Sequence, residues 1–210
     1  MHKGERVRLR RILLSLDELY TEEENVRYTK NLRKITLKDW LVLVQFSDFQ
    51  IGTADAPPIK VGKVRTPSTL NDMSIGQLLQ LSQLQEQDVI FGICRVLLGI
   101  PAHKLLRLQA TEVILFVAWV MGEVERINKL FSKLQVKRTD DEIKAGFDKI
   151  DNGAFGLIDW YAKRMGIHDH EEAQKVSWLI VYQCMKIDHD YFICQRKLME
   201  IQKNAIKRNH

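Results

Sequence analysis

Apolar residues recur three and four positions apart through residues 66–134, and this spacing predicts a series of helices joined by tight corners. The first predicted helix begins at Ser74, whose hydroxyl can cap a backbone N–H three residues on. Gln77 can reach back as the other half of a capping box. Ile75 and Leu78 then fall on one stripe of the helix, by which we expect it to pack.

Two further helices are predicted in the same block. Residues 88–98 place apolar side chains at helical spacing, and Gly99 directly after them is a strong stop signal. Pro101 suits the first position of a short third helix, because its fixed φ is helical and the N–H it lacks would have no helical partner there. Leu105 is the apolar side chain of that short helix.

The fourth predicted helix begins near Thr111, with Glu112 in its first turn, where a negative charge meets the positive helix end. Every residue in 113–121 is apolar, which predicts that protein surrounds this part on all sides. The run is far shorter than the roughly 20 residues that a bilayer requires, so it indicates a core helix. Beyond it the pattern narrows to a single stripe of Val124, Ile127, Leu130, Phe131 and Leu134.

The N-terminal third is more varied. Residues 5–20 have apolar positions on a helical period with arginines opposite, which predicts an amphipathic helix that packs on its own core or docks a partner. Residues 36–46 fit a helix capped by Thr36 and Asp39 or a buried strand, and we favour the helix. Residues 52–66 hold two of the four prolines and two glycines, which indicates a linker or β-rich hinge with some extended structure.

The C-terminal part again favours helices. Thr139 or Asp140 can cap a short helix, and residues 155–165 form another that ends at Gly166. A last long helix is expected to start at residue 170 or 171 and run to about residue 206. Its expected inward side chains are Val176, Leu179, Ile180, Tyr182, Met185, Tyr191, Phe192, Leu198 and Ile201.

These elements predict a mainly α protein, a helical bundle with an N-terminal amphipathic arm and a short β-hairpin or extended segment within residues 37–66. We divide the chain into an arm and linker, residues 1–66, and a helical domain, residues 67–210. A chain of 210 residues that is 45% hydrophobic can bury one good core.

The charge distribution and the number of cysteines indicate which partners and which cellular compartment to expect. The formal net charge of +5 is concentrated at the two ends of the chain, and the interior is net acidic. Because terminal basic runs are usually solvated faces, we favour that interpretation over contact with nucleic acid. Three cysteines, an odd number in apolar surroundings, indicate buried thiols in a reducing cytoplasm.

One group of residues could be considered for metal binding, since it combines imidazole, thiol and carboxylate side chains: His168, His170, Glu171, Cys184, His189 and Cys194. Zinc requires four ligands in a tetrahedron. Cys184, His189 and Cys194 are five residues apart, so on a helix each is rotated by about 140° from the last. They cannot converge on one ion, and we expect no metal.

The sequence signals for catalytic residues are also weak. Residues 140–142 form a carboxylate run, and Asp188 and Asp190 flank His189. Acid–base catalysis requires carboxylates whose surroundings separate their pKa values, whereas these positions have polar neighbours typical of a surface. The sequence contains no GxSxG, Walker-type, GxGxxG or HExxH motif. We therefore expect a protein that is not an enzyme and needs no cofactor.

Three passages of the chain resemble known proteins. Residues 64–84, VRTPSTLNDMSIGQLLQLSQL, resemble a pattern that opens the helical domain of many tailed-phage tail assembly chaperones. The matching positions are Pro67, Leu70, Asn71, Met73, Ser74, Ile75, Gly76 and Gln77. Residues 97–117 continue the resemblance, and residues 145–167 look like the ends of phage tail-region proteins. The resemblance covers about residues 64–205.

This resemblance implies a non-enzymatic helper in the host cytoplasm that coats the helical tape-measure protein and brings tail-tube protein to it. A homo-oligomer is compatible with that role. The alternative is a structural virion component, either a head–tail connector or an internal virion protein. A third and weaker class is a small enzyme or regulator without a recognisable motif.

The tryptophans and large aliphatic residues supply the candidate partner contacts. Trp160 and Tyr161 could mark an interface, because large amphipathic rings favour such places. Trp119 is better explained as a core anchor. The candidate partner-binding residues are Leu78, Leu105, Leu130, Trp160 and Tyr161.

Overall fold

The computed structural model describes residues 35–44, 51–52, 54–150 and 152–208, and over these residues the protein is mainly α-helical with one short β-hairpin, as predicted. The elements are α1 Leu37–Val44, β1 Lys60–Val61, β2 Val64–Arg65, α2 Ile75–Ser82, α3 Val89–Leu98, α4 Ala102–Leu105, α5 Ala110–Ser132, α6 Asp140–Lys144, α7 Gly153–Met165, α8 His170–Lys175 and α9 Trp178–Arg208. Short 3-10 turns cover Glu86–Asp88 and Phe147–Lys149. The helix predicted over residues 5–20 lies outside the described residues.

The chain folds as two compact units. Among the described residues, the first contains those within 35–69 and Leu81–Glu125, and the second contains Leu70–Gln80 and those within 126–208. The segment 70–80 therefore belongs to the second unit although it lies between two parts of the first. Much of residues 1–66 lies outside the described residues, so the arm-and-domain division stays a prediction.

In the first unit, α1 resolves the choice between helix and strand in favour of the helix. The Thr36 hydroxyl accepts the Asp39 N–H at 3.3 Å and lies 2.7 Å from an oxygen of the Asp39 carboxylate, so the predicted cap is present. Leu37 is fully buried, and its N–H donates to the Leu108 carbonyl at 2.8 Å. This long-range bond anchors the helix start.

The hairpin lies within the predicted extended region. Val61 pairs with Val64, and Gly62 takes a left-handed φ of 61° in the turn between them. The Gly62 N–H donates to the Glu112 carboxylate at 2.8 Å, and a Cβ at this position would lie 2.8 Å from the Leu108 side chain. Glycine is therefore favoured by the backbone conformation, and a larger residue would also require the end of the Leu108 side chain to shift.

The region around α3 and α4 follows the predicted stop and start signals with one adjustment. Gly99 ends α3 in the left-handed conformation, and its N–H donates to the Arg95 carbonyl at 3.1 Å. Pro101 has a ψ of 152°, so it is the residue before α4 and not its first helical residue as we predicted. Its extended ψ lets the chain change direction before the helix begins.

The apolar run of α5 is only partly enclosed, so the expectation that protein surrounds it on all sides is wrong. Val113, Phe116, Val117 and Val120 are fully buried, but half of the Leu115 side chain is exposed, and Met121 is also exposed. Apolar composition shows which faces could be buried. Whether a neighbouring element covers each face depends on tertiary packing that the composition does not contain.

In the second unit, the single long helix predicted from residue 170 is wrong, because it is broken at Val176 and Ser177. Val176 is extended, with φ −70° and ψ 144°, and its carbonyl accepts the Ile75 N–H at 2.8 Å. The Trp178 N–H donates to the Met73 carbonyl at 3.0 Å. A helix through this point would use these groups internally, so pairing with a distant segment separates α8 from α9.

Trp178 is the centre of that pairing. Its side chain is 1% exposed, and its indole N–H donates to the Leu70 carbonyl at 2.7 Å. Its ring lies against Phe131 and Tyr182, with centroid distances of 6.3 and 6.4 Å. The Ser177 hydroxyl adds a bond of 2.7 Å to the Asn71 carbonyl. The start of α9 is thus fixed by both polar and aromatic contacts.

The predicted capping and stop residues of the helices in this unit are confirmed. Thr139 and Glu142 form a reciprocal capping box at the start of α6. The N–H and hydroxyl of Thr139 lower the pKa of the Glu142 carboxyl, because they stabilise its ionised form. Gly166 ends α7 in the left-handed conformation, with φ 67°.

Replacing Trp178 tests the importance of its hydrogen bond. Trp178→Phe keeps an aromatic ring but leaves the Leu70 carbonyl without the indole donor, so we expect unfolding free energy to fall by about 1–3 kcal/mol. Urea denaturation of this variant and of Trp160→Phe, whose ring is only half-buried, provides the measurement and its control. Equal losses in the two variants would contradict the assigned role.

Candidate functional site

The residues predicted to contact a partner are mostly inside the protein. Leu78, Leu105 and Tyr161 are 2%, 0% and 3% exposed, so they can touch a partner only if their surroundings open. Leu130 and Trp160 are half-buried. Trp119 is 5% exposed, as expected of a core anchor. A large exposed apolar surface lies elsewhere, along α9.

One face of α9 packs within the second unit. This helix has 31 residues and is about 46 Å long at the usual rise. Val181 is fully buried, and the Tyr182 ring packs edge-on against Phe131 with centroids 5.5 Å apart. Arg164 holds the same side through a fork of hydrogen bonds to the Asp188 carboxylate, at 3.0 to 3.3 Å. These contacts fix which way the helix is rotated.

A second face of α9 carries an exposed apolar row that we call the α9 seam. Its members lie alternately four and three residues apart: Ile180, Cys184, Ile187, Tyr191, Cys194, Leu198, Ile201 and Ala205. All are exposed except Cys184, which is half-buried, and Ile187, Tyr191 and Ile201 are each more than 60% exposed. At about 100° per residue, the seam is centred roughly 100° from the side that contains Val181 and Asp188, and half-buried Cys184 is the member that approaches that side.

This exposure corrects the sequence-based assignment of the helix. Ile180, Tyr191, Leu198 and Ile201 were expected to face inward, and Phe192 was expected to do so as well, but all five are exposed. The apolar spacing was visible in the sequence. The direction of each side chain was not, because it depends on the rotation of α9 set by Trp178 and by the Arg164 contact.

The end of α9 has no packed side within the described residues. Every side chain of residues 197–206 is exposed, including large apolar ones such as Met199 and Ile206. A helical segment as short as residues 197–206 is marginal by itself in water. The end of α9 therefore depends on its continuation from the packed half, and a partner that covers it would stabilise it.

The middle of α9 carries charges beside the seam. Lys186 donates to the Asp190 carboxylate at 2.6 Å, one helical turn away. This bond lowers the pKa of Asp190 and raises that of Lys186, since each stabilises the charged form of the other. The Asp190 side chain remains 57% exposed. Lys197 is also exposed, about two helical turns further along α9. Acidic and basic groups therefore follow each other along one edge of the seam.

The other polar groups make surface pairs. The carboxylate of Asp159 contacts Lys163 at 2.6 Å and His170 at 3.3 Å, and these hydrogen bonds lower its pKa. The Phe155 ring lies near the His170 ring, with centroids 5.1 Å apart. Among the described residues, no three histidine, cysteine or acidic side chains are grouped so that they could hold a metal ion.

The cysteines differ sharply in their surroundings. Cys94 is fully buried, and burial raises the pKa of its thiol to about 12, so it stays protonated at neutral pH. Cys184 is half-buried and Cys194 is exposed. The prediction of buried thiols therefore holds for Cys94 and is wrong for Cys194, because the α9 seam faces outward.

Comparisons of the chain with protein-family models, curated proteins and solved structures gave no match. Within the described residues, no helix is both long and apolar enough to cross a bilayer. The candidate site is therefore defined by the geometry of the α9 seam alone.

Thiol alkylation tests the difference in exposure between Cys94 and Cys194. In dilute protein at mildly alkaline pH, we expect iodoacetamide to modify Cys194 and to leave Cys94 unmodified, because the reactive thiolate of Cys94 is disfavoured by burial. Peptide mass spectrometry gives the extent of modification at each site, and denatured protein, in which all three thiols react, is the control. Modification of Cys94 at the rate of Cys194 would show that this core is open.

Proposed function

We propose that this chain is a non-enzymatic phage tail assembly chaperone that binds the tape-measure protein and brings tail-tube protein to it. The observation that carries the proposal is the exposed apolar seam of α9, a surface suited to binding another helix. The resemblance of residues 64–205 to tail assembly chaperones supplies the biological setting.

The spacing of the seam supports a helical partner. Positions four and three apart present a continuous row on one face, and an amphipathic helix can lay its own apolar row along it. A long helical tape-measure protein offers many such rows, all of which must be kept from aggregating before assembly. A chaperone of this kind covers them temporarily.

The free energies of burial and of association favour a partner that covers the whole seam. Complete burial of one large apolar side chain contributes about 1.5–3 kcal/mol, whereas association costs roughly 4–15 kcal/mol in lost freedom. One or two seam residues could not offset that cost. A helix that covers several, such as Ile187, Tyr191, Leu198 and Ile201, could give useful but reversible affinity.

A pair of adjacent substitutions tests the seam. Leu198→Glu places a charge in the seam, and Met199→Glu places the same charge one residue away, outside it. We expect only Leu198→Glu to abolish capture of co-expressed tape-measure protein. Both residues are exposed, so melting temperatures should change little, by the equivalent of about 0.5 kcal/mol or less. Equal binding by both variants, or equal loss, would count against the seam.

Analysis of virus particles tests the chaperone role against the structural alternative. A chaperone leaves the assembled tail, so we expect mass spectrometry to find the chain with tape-measure protein in infected-cell extracts but not in purified virions. Known tail and capsid proteins in the same samples provide the control for detection. Stoichiometric copies in the virion would instead assign the chain as a connector or internal virion component.

A further inference from the structure

We infer that the α9 seam also forms an antiparallel two-stranded coiled coil with a second copy of this chain. In this arrangement Ile187 lies against Leu198 of the second copy, and Tyr191 lies against Cys194 of the second copy. The inference rests on the proposed function only in treating the seam as a binding surface. It does not depend on any phage protein.

The regularity of the seam is the first argument. Seven successive gaps from Ile180 to Ala205 alternate between four and three residues, and the six gaps from Ile180 to Ile201 average 3.5. A helix that packs on its own globular core follows about 3.6 residues per turn and drifts away from such a row. Over the three heptads of the seam this drift amounts to about 60°, and it is removed when two helices supercoil around each other.

The position of the seam is the second argument. The contacts of α9 within its own unit, through Trp178, Val181 and Asp188, lie on a different side of the helix. The seam remains exposed along nearly its whole length, and residues 197–206 are exposed on all sides. A second helix along the seam from Ile187 onward would cover exposed apolar side chains that none of those contacts uses.

Charge complementarity selects a second copy in antiparallel orientation. In the register that aligns the two seams in opposite directions, Asp190 faces Lys197 of the second copy, and by symmetry Lys197 faces its Asp190. In the parallel register, Asp190 faces Gln195 and Lys197 faces Gln202, which makes no ion pair. Because Lys186 already bonds to Asp190, the pairing across the dimer would extend an existing charged cluster.

The cysteines of the seam distinguish the two orientations chemically. A parallel in-register dimer places the two copies of Cys194 opposite each other, where mild oxidation would join them by a disulfide. The antiparallel dimer places Cys194 against Tyr191 and Cys184 against Ile201, so no symmetric pair of thiols meets. It also covers Cys194, whose alkylation should slow as protein concentration rises.

Sedimentation velocity on the full chain tests the inference. We expect the wild-type chain to convert from monomer to dimer with concentration. Lys197→Glu should weaken the dimer about tenfold, because two attractions become two repulsions. The double variant Asp190→Lys with Lys197→Glu should restore it. Lys203→Glu carries the same charge change on the far side of α9 and is the matched control. Circular dichroism verifies that each variant keeps its helices.

A wild-type chain that stays monomeric, a dimer insensitive to Lys197→Glu, or a disulfide-linked Cys194 dimer would each overturn the inference. The proposed function fails separately. A monomer that still captures tape-measure protein would overturn only the dimer, whereas a charge-sensitive dimer that captures none would support the dimer and contradict the chaperone role.

Discussion

The second unit depends on the hydrogen bonds that join residues 70–75 to residues 176–178. Three donors at the start of α9, the Ser177 hydroxyl and the two N–H groups of Trp178, reach the carbonyls of Asn71, Met73 and Leu70. These bonds end one helix, start the next and leave the Trp178 ring enclosed among aromatic neighbours. Gly76 permits the approach, since a Cβ there would lie 3.0 Å from the Gln174 carbonyl oxygen.

Features that depend on neighbouring residues were predictable from the sequence. The Ser74 and Gln77 capping box has both of its bonds, each 3.1 Å long, and Gly99 and Gly166 end their helices as expected. Such signals succeed because a cap satisfies backbone groups within four residues of itself. Fold class follows from the same local information, as most of the described chain forms helices that begin and end at recognisable residues.

Features that depend on distant residues were not predictable. Nothing between residues 170 and 180 prohibits a continuous helix, and the break at Val176 arises only because Ile75, about a hundred positions earlier in the chain, donates to its carbonyl. The candidate site shows the same limit. Packing encloses the candidate contacts Leu78 and Tyr161, whereas the rotation of α9 turns Tyr191 and Leu198 outward, opposite to the direction that their spacing predicts.

The two faces of α9 have different surroundings, and only the exposed one is open to the proposed partners. The packed face holds buried side chains and the bonds of Trp178, so opening it would expose much of a core. The exposed residues of the seam make no such contribution, so either proposed partner, a tape-measure helix or a second copy, would cover them and leave the packed face unchanged. Because both proposed partners need the same row of residues, each must displace the other. Self-association would therefore keep the seam covered until a helical partner is present at a concentration high enough to compete.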